Sequence, residues 1–144
     1  MIQIMICDED ASYAQKISQC IEKWFCKWNL EVKTNISYSA DTLWYEIMEG
    51  KQSEYHLSDV YLVNVEKAEA KKLDGMELAR RISTEYPHVL LILMSSNLEI
   101  AIQGYTVGAF RFVTKDKMNI LLPVALKDAA KKIISQEENK LEKF

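Results

Sequence analysis

Five short apolar runs recur along the chain, each followed by an amphipathic stretch of helical period, and this alternation leaves few folds open. The runs are residues 2–7, 32–38, 59–65, 89–94 and 110–113. Three of them are apolar almost without interruption, the pattern of strands covered on both faces. Between them, Tyr13, Ala14, Ile17, Ile21, Trp24, Phe25 and Trp28 recur at helical spacing, as do Leu43 and Ile47, then Met76, Ala79 and Ile82. Residues 98–107 predict a fourth helix closed by Gly108, and residues 119 to about 138 a fifth, lined by Leu122, Leu126, Ala129 and Ile133. Ser39 and Asp74 precede helices as caps, and Pro87 follows the third helix. Repeated β/α units imply an α/β fold with one parallel sheet between two helical layers. Ligands of such sheets sit at the carboxyl ends of the strands.

With 144 residues the chain suits one domain, and 49% hydrophobic against 27% charged residues suits a globular one. A net charge of -3 offers no basic field for nucleic acid or anionic lipid. The apolar runs are far shorter than the roughly 20 residues that span a bilayer. Met1 leads straight into a strand without a basic leader, so a cytoplasmic location and no membrane contact are expected. Cys7, Cys20 and Cys26 are odd in number and unpaired in spacing, and His56 and His88 lie apart from them. Buried reduced thiols are therefore expected rather than a disulfide framework or a zinc site. Trp24, Phe25 and Trp28 read as core with a partly covered edge, and one of Trp44 and Tyr45 must be exposed. Residues 135–144 read as a charged tail or the start of a linker after a domain of residues 1–134.

Polar side chains close four of the five runs. Asp8 and Glu9 follow the first, Asn64 ends the third, Ser95 follows the fourth and Lys115 the fifth. Acids, a hydroxyl and a lysine at strand ends suit the handling of a phosphoryl group on a carboxylate, yet the central member is an amide. Plainer roles are open as well. Asp8 and Glu9 face the positive end of the first helix, Lys115 has acids within reach at Asp8 and Glu9, and Ser95 precedes a helix that it can cap.

These motifs, taken in order, resemble response-regulator receiver domains over about residues 2–134. The match rests on Ile6-Cys7-Asp8-Glu9-Asp10, on Asp59 through Glu66, on Leu73-Asp74-Gly75-Met76-Glu77-Leu78-Ala79, on Ser95-Ser96, and on Val107 through Lys115. The flavour is similar to the receivers of LytTR-type (AgrA-like) regulators. The resemblance implies a flavodoxin-like (βα)5 sandwich with strand order 2-1-3-4-5 and a signalling module rather than an enzyme. It implies Asp8 and Glu9 as magnesium acids, Asn64 at the phosphoacceptor position, Ser95 and Phe112 as the switch pair, and Lys115 as the phosphate-contacting lysine. Implied partners are a sensor histidine kinase or other signalling protein and a second copy through the helix 4–strand 5–helix 5 face, near Gln103, Thr106, Arg111 and Lys127. DNA would be reached only through an effector domain outside these residues.

Three departures accompany the resemblance. Asn64 replaces the aspartate that would carry the phosphoryl group, which also weakens or removes the magnesium site. The loop 67–72 is longer than in the family and lacks its proline. Asp116 stands where a proline follows the lysine. Together they suggest a degenerate receiver acting in phosphorelay signalling and transcription regulation through protein contacts. One alternative is an ordinary receiver with an engineered acceptor knockout. Another is a haloacid-dehalogenase-like phosphatase, suggested by the D-x-D of Asp8-Glu9-Asp10.

Overall fold

The computed structural model describes residues 1–50, 57–66 and 74–142. Strands β1 (Ile2–Cys7), β2 (Val32–Ser37), β3 (Val60–Asn64), β4 (Leu90–Ser95) and β5 (Arg111–Thr114) form one parallel sheet in the order β2-β1-β3-β4-β5. Helices α1 (Ala11–Lys27), α2 (Ala40–Glu49), α3 (Gly75–Glu85), α4 (Leu98–Thr106) and α5 (Met118–Glu142) alternate with them. The expected α/β class and strand order are observed.

The apolar pattern explains the layers. Ile4, Ile6, Leu62 and Ile92 pack with Ala14, Ile17, Ile21 and Phe25 of α1 and with Leu122, Leu126 and Ala129 of α5. On the other face Tyr61, Val63, Leu91 and Leu93 meet Leu43 and Ile47 of α2 and Leu78, Ala79 and Ile82 of α3. Residues alternate between faces along each central strand, so both faces must be apolar. Complete burial of one such side chain contributes about 1.5–3 kcal/mol. The β2 edge is only half covered, at Val32, Thr34 and Ile36.

Caps set the helix starts. Asp10, Ser39, Asp74 and Asn97 accept backbone N–H bonds from Tyr13, Thr42, Glu77 and Glu99 respectively. Gly108, at φ +81°, turns the chain after α4, where the Ala109 N–H reaches the Gly104 carbonyl.

Some expectations change. Helix α5 continues through Glu142, past its expected end near Glu138, because Glu137, Glu138, Lys140, Leu141 and Glu142 are good helix formers even without an apolar period. Of the three thiols only Cys7 is buried; Cys20 is half-buried and Cys26 exposed, because α1 turns those positions outward. Trp24 and Trp28 are half-buried around a buried Phe25, and Tyr45 is the exposed member of its pair. The long loop expected at 67–72 lies outside the described residues, as does His56. Among the described residues, no helix is long and apolar enough to cross a membrane.

Candidate functional site

Strand register brings the polar residues together. Cys7 pairs with Val63 and Asn64 with Met94, so Asp8 lies level with Asn64 and Ser95 one residue beyond. Ser95 in turn pairs with Thr114, which puts Lys115 just past the end of β5. The sheet order reverses direction at β1 and β3, the crevice where open α/β sheets bind ligands.

Asp8 is 1% exposed. Its Oδ1 accepts the Asp10 N–H at 2.9 Å and the Asn64 Nδ2–H at 3.4 Å. Among the described residues, Asp8 Oδ2 and Asn64 Oδ1 are buried without a hydrogen-bond partner. Burial raises the Asp8 carboxyl above its ordinary value; the charges of Asp10 and Glu66 push the same way, against the Asp10 N–H and Lys115. Cys7 beneath it is pushed up to about 12 by burial and then by Asp8 and Glu9, which makes it a poor nucleophile at neutral pH.

The raised Asp8 carboxyl fixes the sign of a pH effect. The folded chain keeps that proton to higher pH than the unfolded chain, so stability falls as pH rises from the unfolded value through the folded one. Asp8→Asn should therefore stabilise the protein at pH 7, by about 1–2 kcal/mol for relief of a buried charge with an unpaired oxygen. Urea unfolding at pH 7 and in acid reads this, with the gain shrinking in acid. A loss of stability at pH 7 would show that the Asp8 charge is well compensated.

Glu66 is the residue that sequence reasoning left without a role. Its Oε1 accepts the Ser96 backbone N–H at 2.9 Å, the Ser96 hydroxyl contacts both carboxylate oxygens at 3.0 and 3.1 Å, and Lys115 Nζ lies 3.4 Å from Oε1. Burial works to raise this carboxyl, but the Ser96 hydrogen bonds and Lys115 outweigh it and the net shift is downward. Lys115 thus pairs with Glu66 rather than with Asp8 or Glu9, and also sits 4.5 Å from the centre of the Tyr13 ring. The signal for Glu66 was its spacing: two residues past Asn64 on an extended chain, it faces the same side.

The remaining residues fall as follows. Ser95 is fully buried and its Oγ accepts the Asn97 N–H at 3.0 Å, ordering the turn into α4. Phe112 is half-buried and packs against the core that includes Leu91 and Leu93. Glu9 is exposed. Asp10 serves as the cap of α1, its Oδ1 3.1 Å from the Tyr13 nitrogen, so the D-x-D reading loses its second acid to helix capping. Residues 115–117 form a single 3-10 turn into α5 at the position of the missing proline. On the α4–β5–α5 face Arg111 binds Asp128 at 3.2 Å, while Gln103, Thr106 and Lys127 are exposed.

Two buried oxygens without partners, one of them on a carboxylate, suit a hard divalent cation. Asp8 and Asn64 supply them, and the adjoining Glu9 is exposed. Among the described residues, no three of His, Cys, Asp and Glu cluster as ligands.

No family model matches the sequence, and no curated protein does. Solved structures do match. A response-regulator receiver domain from Clostridium thermocellum aligns at a TM-score of 0.70 and 22% identity, over 93% of this chain and 99% of that one. This is the receiver fold. A BeF3-activated receiver domain of DrrB aligns at 0.67 and 21%, over 91% and 98%. The longer DrrB of Thermotoga maritima, an OmpR/PhoB homolog, aligns at 0.60 and 20%, over 95% of this chain and 54% of that one.

Proposed function

We propose that the chain is a degenerate receiver domain of a two-component response regulator, which signals through protein contacts without taking a phosphoryl group at Asn64. One observation carries this reading. At the end of β3, where a receiver needs a carboxylate nucleophile, a neutral amide donates its hydrogen to Asp8. An amide oxygen attacks a phosphoryl donor poorly and brings no charge to the cleft. The fold and its polar strand ends support the receiver assignment, and the motif residues support the LytTR-type flavour.

Asp8, Asn64 and Glu9 would hold a magnesium ion, weakly because only two of them are charged. Such an ion supplies charge neutralisation to phosphoryl oxygens. The chain's own residues act without it: Asp8 fixes the Asn64 amide, Ser95 orders the α4 turn, and Glu66 holds Ser96 and Lys115. Partner binding would then bias the switch residues Ser95 and Phe112 in place of phosphorylation. We assign the kinase or another signalling protein as the partner, with the α4–β5–α5 face available for a homodimer. Transcriptional output would come from an effector domain elsewhere in a longer protein, and the domain itself would not be an enzyme.

The second reading, an ordinary receiver with its acceptor replaced, is favoured by the near-isosteric Asn64. Asn64→Asp incubated with acetyl phosphate and magnesium separates the two. A degenerate site leaves the variant mostly unmodified. Rapid, stoichiometric uptake would establish the second reading instead.

A further inference from the structure

Three donors that could receive an oxyanion converge on a side chain of the protein itself. The Ser96 N–H lies just before the N-terminus of α4, the Ser96 hydroxyl lies beside it, and Lys115 brings the positive charge from the end of β5. We propose that Glu66 is a built-in anion that fills this oxyanion position and closes the cleft to external phosphate. The inference deepens the reading of this cleft as a phosphoryl-type site and rests on it.

The geometry favours the internal group. Glu66 Oε1 accepts the Ser96 backbone N–H at 2.9 Å and lies 3.0 Å from the Ser96 hydroxyl, which also reaches Oε2 at 3.1 Å, and the Lys115 ammonium at 3.4 Å from Oε1 adds charge. Glu66 is fixed two residues beyond Asn64, so its carboxylate competes at the high effective concentration of a tethered ligand. An external phosphate must displace that carboxylate and then bear the charge of Asp8, which already feels both Glu66 and Lys115. Both costs fall on one cleft because Asp8 follows β1 and Glu66 follows β3, neighbouring strands of the sheet. Glu66 is itself partly open to solvent, so its replacement leaves the two cores untouched.

The test is a titration with inorganic phosphate, without metal, followed by the Ser96 amide and Lys115 resonances of the whole chain. The wild-type signals should hold still through the millimolar range. Glu66→Gln should show a saturable shift at both residues, with at least about tenfold tighter binding. Glu66→Ala should do the same, which guards against a Gln side chain that simply reoccupies the site. Adding Lys115→Ala to either variant should abolish the response. Equal phosphate binding by wild type and variants, or no binding by either variant, would overturn the proposal. Covalent uptake at position 64 is a separate readout, so failure of the receiver reading and failure of this inference are distinguishable.

Discussion

Asn64→Asp should destabilise the protein by about 2–3 kcal/mol at pH 7 without metal, and magnesium should recover most of the loss. The Asn64 Nδ2–H that reaches Asp8 Oδ1 at 3.4 Å would be replaced by a second carboxylate oxygen, against an acid that is already buried. Loss of a part-buried hydrogen bond to a charged group and like-charge repulsion act together. Repulsion raises the folded value of the carboxyl pair, so the penalty is present at neutral pH and fades as the pair takes up a proton in acid. A divalent ion held by Asp8 and the new carboxylate would stabilise the folded state by mass action. Urea unfolding with and without magnesium reads both effects. An Asn64→Asp protein as stable as wild type, and indifferent to magnesium, would mean that Asp8 and residue 64 do not share one electrostatic site.

Gly75→Ala should cost a similar amount, about 2–3 kcal/mol, through sterics alone. A methyl group at Gly75 would fall on the Asn64 carbonyl oxygen and within 3.2 Å of Val63 Cγ1. The obstacle is strand backbone, which cannot rotate away as a side chain does. Since Gly75 is the first residue of α3, the helix must lift from β3 or drag Asn64 with it. The variant should melt earlier, and the Asn64 side-chain amide should shift most among the site resonances. Wild-type stability would show that the start of α3 is loosely placed and that the Asp74-Gly75 pair serves capping only.

Much of this architecture is readable from the chain because local and global signals agree. The runs through Ile4, Leu62 and Ile92 are apolar on both faces, and Asp74, Ser39 and Gly108 mark helix ends by chemistry that acts within a few residues. Asp8, Asn64, Ser95 and Lys115 are legible as a group because parallel strands end on one edge. Which of them touch is less legible. Lys115 had acids to choose from, and only the packed sheet shows that, among the described residues, it meets Glu66. Asp10 looked like a second catalytic acid but caps α1, since its side chain reaches the Tyr13 nitrogen before anything in the cleft. The end of α5 was hidden because a charged, helix-forming stretch has no apolar stripe to announce its length.

Intact-mass measurement of the wild-type chain after incubation with acetyl phosphate and magnesium tests most directly whether the cleft accepts a phosphoryl group. An unchanged mass is the predicted result, because Asn64 offers no carboxylate and Glu66 holds Ser96 and Lys115. Stoichiometric gain of one phosphoryl group, in a hydroxylamine-labile linkage, would contradict it.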